Sequence, residues 1–152
     1  MASLGMNCMN DDKFFIDTNI LIYAYDASAG EKHANAARIV SELWLSGRGV
    51  LSTQVLQEFF VSVTRKIPKP INDHLAASIV RDLLRWELVV NDGDSILEAV
   101  SLVSRYRFSF WDSLIIQAAL KSSCSILLSE DLTDGQVIES TRIRNPFSKT
   151  GR

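Results

Sequence analysis

The sequence predicts an α/β domain with a parallel sheet covered by helices on both faces. Three observations carry that expectation. Short, continuously apolar runs recur at FFI, GVL, LVV and ILL, the pattern of strands buried on both faces. Longer stretches with helical spacing separate them, as the crossovers of parallel strands require. At 152 residues, 47% apolar and 22% charged, with three Pro and seven Gly, the chain matches one globular domain in size and composition.

FFID, residues 14 to 17, opens the sheet, and DTN supplies helix-capping residue types directly after it. Leu21, Ile22 and Tyr25 continue at helical spacing, with Thr18 as a cap. A second helix is expected from about Glu31 to Leu45, with Ala34, Ala37, Ile39, Val40, Leu43 and Trp44 as its apolar stripe, ended by Ser46, Gly47 and Gly49. GVLST (49 to 53) is the next strand and leads into a helix from about Gln54 to Lys66, which Pro68 and Pro70 terminate. Asn72 or Asp73 caps a helix to about Trp86. ELVVND (87 to 92) is a strand, Asp94 to Arg105 a helix, and FSFWDSLIIQAALKSS (108 to 123) a longer one. SILLSED (125 to 131) is the fourth strand, and a weak last strand runs near Val137 to Ile143. No repeat or linker divides the chain. The expected organisation is an extension over 1–12, a domain over 13–147 and a tail over 148–152.

Several function classes are disfavoured. No stretch reaches the roughly 18 to 20 apolar residues of a membrane span, and the first residues lack a secretion-signal layout, so a cytoplasmic protein without membrane attachment is expected. Cys8 and Cys124 stand far apart with no CxxC and no adjacent His, which argues for free thiols, with Cys124 packed inside. A net charge of −2 gives no global attraction to a polyanion. A nucleic-acid partner would then be held by bound metal or by local cations. Candidates for the latter are Arg105 to Phe108, Arg65, Lys66 and Lys69.

Four carboxylates stand where a plain structural account does not need them. Asp17 ends the first strand, Glu58 lies in an apolar helix, Asp112 follows Phe110 and Trp111, and Asp131 ends the fourth strand. Each has a bland role: Asp17 as a helix cap, Glu58 paired with Arg65 or Lys66, Asp112 in a capping box with Ser109, Asp131 in a turn with Asp134 and Gly135. Ligands of open parallel sheets bind beyond the carboxyl ends of the strands, where Asp17 and Asp131 fall. Asp112 reaches that side only if the loop at 106 to 109 turns the chain back toward it.

FIDTNIL, the QEF of LSTQVLQEFF, FWDSLI and LLSEDLTDG, in this order, together resemble the PIN-domain nucleases, in particular the VapC-type toxin ribonucleases. The resemblance covers residues 13 to 147. It implies a three-layer α/β/α sandwich around a parallel sheet, with Asp17, Glu58, Asp112 and Asp131 as an acidic quartet and Asn19 and Ser129 as accessory polar residues. Some members carry an acid two residues after the fourth; here Thr133 stands there, so Asp134 is a substitute or a turn residue, and Glu130 is expected to point away. Crowded carboxylates repel by roughly 4 kcal/mol per pair at about 4 Å and an effective dielectric near 20, which protons or a cation must relieve. Oxygen-only donors suit Mg²⁺ or Mn²⁺. On this reading Asp17 and Asp112 ligate directly, Glu58 and Asp131 directly or through water. Asn19 would hold Asp17 or a water, and Ser129 the acid of the fourth strand. The resemblance further implies RNA phosphodiester hydrolysis, a cognate antitoxin and a homodimer. Two rivals are a catalytically inactive PIN-fold interaction module and a phosphatase using D-x-D, for which Asn19 stands where an acid is needed.

Overall fold

The computed structural model describes residues 12–148. The expected extension, save Asp12, and the expected tail, save Ser148, lie outside these residues.

Six strands form one sheet: β1 (Phe14–Ile16), β2 (Gly49–Ser52), β3 (Glu87–Val89), β4 (Ile126–Leu128), β5 (Val137–Ile138) and β6 (Thr141–Arg144), in the order β3-β2-β1-β4-β6-β5. All neighbours pair parallel except β5 and β6. The single weak strand expected near 137 to 143 is thus an antiparallel hairpin, and the sheet is mixed. Glu139, at φ 53, takes the left-handed conformation that lets the chain reverse in two residues. β1 is central and its three residues are fully buried, which explains an apolar run without alternation.

The helices are α1 (Thr18–Tyr25), α2 (Glu31–Ser46), α3 (Thr53–Arg65), α4 (Asp73–Leu83), α5 (Gly93–Tyr106) and α6 (Phe110–Lys121), with a short 3-10 turn at Ala27–Ala29. Right-handed crossovers fix their sides. The chain steps from β1 to β2 to β3 in one direction, so α1 to α4 cover one face; it then returns across β1 to β4, so α5 and α6 cover the other. The result is the three-layer α/β/α sandwich. Strand order reverses between β1 and β4, the topological switch point where open sheets bind ligands.

Local signals set the helix ends. Ser52 accepts from the Val55 amide (3.3 Å) and Asn72 from that of Leu75 (2.8 Å). Asp92 and Ser95 form a reciprocal capping box. Helix α4 stops at Leu83, short of Trp86, whose ring instead lies over Gly49. Trp44, expected in the core stripe, is 38% exposed and packs edge-on to Trp86 at 5.5 Å. A Cβ on Gly49 would stand 2.2 Å from that ring, so Gly49→Ala is expected to destabilise by about 1–3 kcal/mol in urea unfolding through overpacking. Unchanged stability would mean the indole relocates freely. Cys124 is a free, buried thiol. Among the described residues no helix is long and apolar enough to cross a membrane.

Candidate active site

The register Ile16↔Leu128 brings the ends of β1 and β4 side by side. Asp17 therefore meets Ser129 across the switch point, with its amide donating to Leu128 O at 2.9 Å as the ladder's last rung. Its two carboxylate oxygens have separate duties. Oδ1 accepts from the Thr18 amide (2.7 Å), the helix-cap role, and Oδ2 accepts from Ser129 Oγ (2.7 Å). A carboxylate offers about four lone-pair positions, so capping α1 leaves acceptor capacity for a ligand. Asp17 is thus the cap of α1, as its bland reading had it.

Asp17 is 6% exposed and its pKa is raised to about 6. Desolvation by burial is the main cause; the Ser129 and Thr18 hydrogen bonds oppose it, while the charges of Asp131 and Asp112 add to it. Asp112 is thereby within electrostatic reach of Asp17. Its turn of α6 lies on the crevice side because Arg107 ends α5 in the left-handed conformation (φ 66), reversing the chain, and Ser109 Oγ accepts from the Asp112 amide (3.0 Å) to start α6.

Glu58 points inward, away from Arg65, which pairs with Asp73 (3.1 Å). Thr18 Oγ1 donates to its Oε1 (2.6 Å), and Gln54 Nε2 donates to its Oε2 (3.2 Å). Thr18, expected as a cap, is instead the first residue of α1, capped by Asp17, and its hydroxyl links Asp17 to Glu58 through one residue. Gln54 also donates to the Trp111 carbonyl (3.3 Å), tying α3 to the start of α6. Neither residue is singled out by residue type; only an i, i+4 relation of Gln54 to Glu58 foreshadows it.

The two accessory residues serve crosswise to expectation. Ser129 holds Asp17 and accepts from the Asp131 amide (3.2 Å), whereas Asn19 Nδ2 holds Asp131 Oδ2 (2.9 Å) and Asn19 Oδ1 accepts from the Glu130 amide (3.2 Å). Glu130 turns away, as expected, to Lys32 and to Tyr23 OH (2.7 Å). Burial pushes its pKa up, but the Lys32 ammonium and Tyr23 hydroxyl outweigh that and hold it below the usual carboxylate range. Asp134 accepts from the Asn145 amide (2.9 Å), which is a turn role.

None of the salt bridges among the described residues involves Asp17, Glu58, Asp112 or Asp131. Nor do three His, Cys, Asp or Glu side chains among those residues converge closely enough to enclose a metal ion. Magnesium characteristically takes one or two carboxylates and keeps waters and substrate oxygens for the rest. A buried, hard-oxygen donor with two acids acting on it fits that mode.

Truncating Ser129 tests the brace. Ser129→Ala removes a donor from a buried carboxylate, which raises the Asp17 pKa further above about 6 and costs about 1–3 kcal/mol where Asp17 is ionised. The expected loss is therefore larger at pH 8 than at pH 5 by denaturant unfolding. Equal losses at both would show that Ser129 acts by packing alone.

The PIN domain family model matches residues 14–133. The chain belongs to the PIN-domain family. This PIN domain is also similar in fold to solved toxin and toxin-antitoxin structures. A toxin-antitoxin complex from Klebsiella pneumoniae aligns at TM-score 0.65 and 20% identity, over 89% of this chain and 98% of that one. A DNA-bound VapBC from Salmonella typhimurium aligns at 0.60 and 17%, over 89% and 98%. VapC20 of Mycobacterium tuberculosis, described as a sarcin-ricin loop cleaving toxin, aligns at 0.57 and 18%, over 76% and 87%. No curated protein matches significantly by sequence.

Proposed function

We propose that this PIN domain is a divalent-metal-dependent endoribonuclease, the toxin of a toxin-antitoxin pair acting in the cytoplasm. The observation that carries the reading is a buried Asp17 at the switch point, with its pKa raised to about 6 and the charges of Asp112 and Asp131 bearing on it. In this reading Asp17 and Asp112 hold Mg²⁺ or Mn²⁺ directly, and Glu58 and Asp131 do so directly or through water. What the bound ion supplies is charge against the phosphoryl oxygens and a lowered pKa for the attacking water. Ser129 and Thr18 fix the Asp17 carboxylate, Asn19 fixes that of Asp131, and Thr18 and Gln54 fix Glu58. Each acid so held loses less freedom on binding, which favours a defined ligand geometry. Asp134 supports the loop behind Asp131.

The antitoxin belongs to the same proposal. An apolar groove of about 620 Å³ between α3 and α4 is lined by Leu56, Phe60, Val61, Val80 and Leu84. At Gln57 and Val61 it meets a smaller hollow containing Thr18 and Glu58. A partner segment in the groove would bring a basic side chain opposite the acids. Association of two copies completes the reading.

Incubation of the purified protein with total RNA, with and without Mn²⁺, and mapping of the cut ends provides the test. Defined cuts that appear with Mn²⁺ and vanish with chelator are expected. Identical RNA with and without metal would point instead to a catalytically inactive interaction module.

A further inference from the structure

Trp111 is the outlier among the three tryptophans. Trp86 is buried and Trp44 packs against it, whereas Trp111 is 64% exposed although it directly precedes Asp112. Its ring meets the edge of Phe110 at 5.2 Å. Its backbone is fixed: the Gln54 amide that donates to Glu58 also donates to the Trp111 carbonyl. A large aromatic surface is thus held open beside the acids at a set position relative to Glu58 and Asp112. Folding gains little from an indole left in water.

The segment leading to it reads Arg105, Tyr106, Arg107, Phe108, Ser109, Phe110, Trp111, an interleaving of cations and rings. Tyr106 and Phe108 stack at 5.7 Å, and Arg105 lies over Tyr106 at 5.3 Å while bonding Glu139 at 3.2 Å. Arg107 is exposed, and its guanidinium has no hydrogen bond or ion pair among the described residues. Four residues of chain bring it no more than about 14 Å from Trp111. With a net charge of −2, phosphates away from the acids need such local cations.

We propose that Trp111 is the platform on which an unpaired base of the RNA stacks, next to the phosphate at the acids, with Arg107 taking a neighbouring backbone phosphate. The inference rests on the ribonuclease reading. Stacking on a ring is the usual means of holding unpaired bases, and it tolerates sequence because every base has a π-face. Trp111 is a binding residue in this scheme and performs no step of the chemistry.

Cleavage kinetics on a labelled single-stranded oligoribonucleotide carrying a mapped cut test it. Trp111→Ala is expected to raise KM about ten-fold with little change in kcat. Trp111→Phe should recover most of the loss, and Trp111→Leu, which is apolar but has no π-face, should not. Arg107→Ala should lower the slope of log affinity against log salt by about one. Wild-type KM in both Trp111→Ala and Trp111→Leu would overturn the platform while leaving the ribonuclease reading intact. Loss of a protein-protein contact in Trp111→Ala with unchanged RNA kinetics would reassign the ring to a protein interface. An unchanged salt slope in Arg107→Ala would remove the phosphate contact. Absence of cleavage by the wild type itself would defeat the parent reading and this inference with it.

Discussion

Asp17→Asn is expected to lose RNA cleavage by at least about a hundred-fold and, at the same time, to make the metal-free protein more stable. The first part follows from the proposed function, in which the most buried of the acids holds a hard cation and an amide is a weaker donor than the carboxylate it replaces. The second follows from the raised pKa of Asp17, about 6. A carboxyl whose pKa is higher in the fold than in the unfolded chain, where it is about 4, favours the fold only while protonated. That stability is fully present below about pH 4 and is lost as the pH rises through about 6. Above pH 7 the ionised group costs about 3 kcal/mol, a figure from the shift at 1.36 kcal/mol per pH unit. Asparagine carries no charge to desolvate, keeps an oxygen for the Thr18 amide and offers its NH₂ to Ser129 Oγ. Denaturant unfolding at pH 5 and pH 8 reads the effect: the gain in the variant should be larger at pH 8. A variant that is destabilised at pH 8 would mean the carboxylate is better solvated than its burial implies.

Asp112→Asn should show the opposite division. Asp112 is only partly buried, and its structural tie runs from its backbone amide to Ser109 Oγ, which asparagine retains. Stability is expected to stay within about 0.5 kcal/mol of the wild type. On the proposed function cleavage should still fall by at least about a hundred-fold, because that reading sets the Asp112 charge against the cation and the scissile phosphate. Thermal melting together with single-turnover cleavage separates the two effects. Cleavage near the wild-type rate would remove Asp112 from the site, and a large drop in melting temperature would recast it as a structural residue.

Much of this was legible in the residues. The dense apolar run of β1 ending in Asp17 announced both a strand covered on both faces and an acid at its carboxyl end, and alternation of strands with helical spacing announced the parallel crossovers. What was hidden depends on long-range register. Ser129 holds Asp17 and Asn19 holds Asp131 because Ile16 sits opposite Leu128, and no local pattern encodes that pairing. The side on which α6 begins was likewise undetermined until Arg107 took a left-handed conformation that a charged side chain seldom adopts. The closing hairpin was read as one strand because its two strands are too short, at two and four residues, to give separate periodicity. Thr18 was read only as a cap and Gln54 only as a helix start, because hydroxyl and amide side chains there are ordinary capping types until tertiary structure gives them another partner.

The central claim is that separated stretches of the chain place acids where a divalent cation relieves their mutual repulsion. Calorimetric titration of Mn²⁺ into the wild type and into Asp17→Asn, at pH 7.5 without RNA, tests it most directly. Saturable binding to the wild type that disappears in the variant is the predicted result; equal binding by both, or heat from neither, would contradict it.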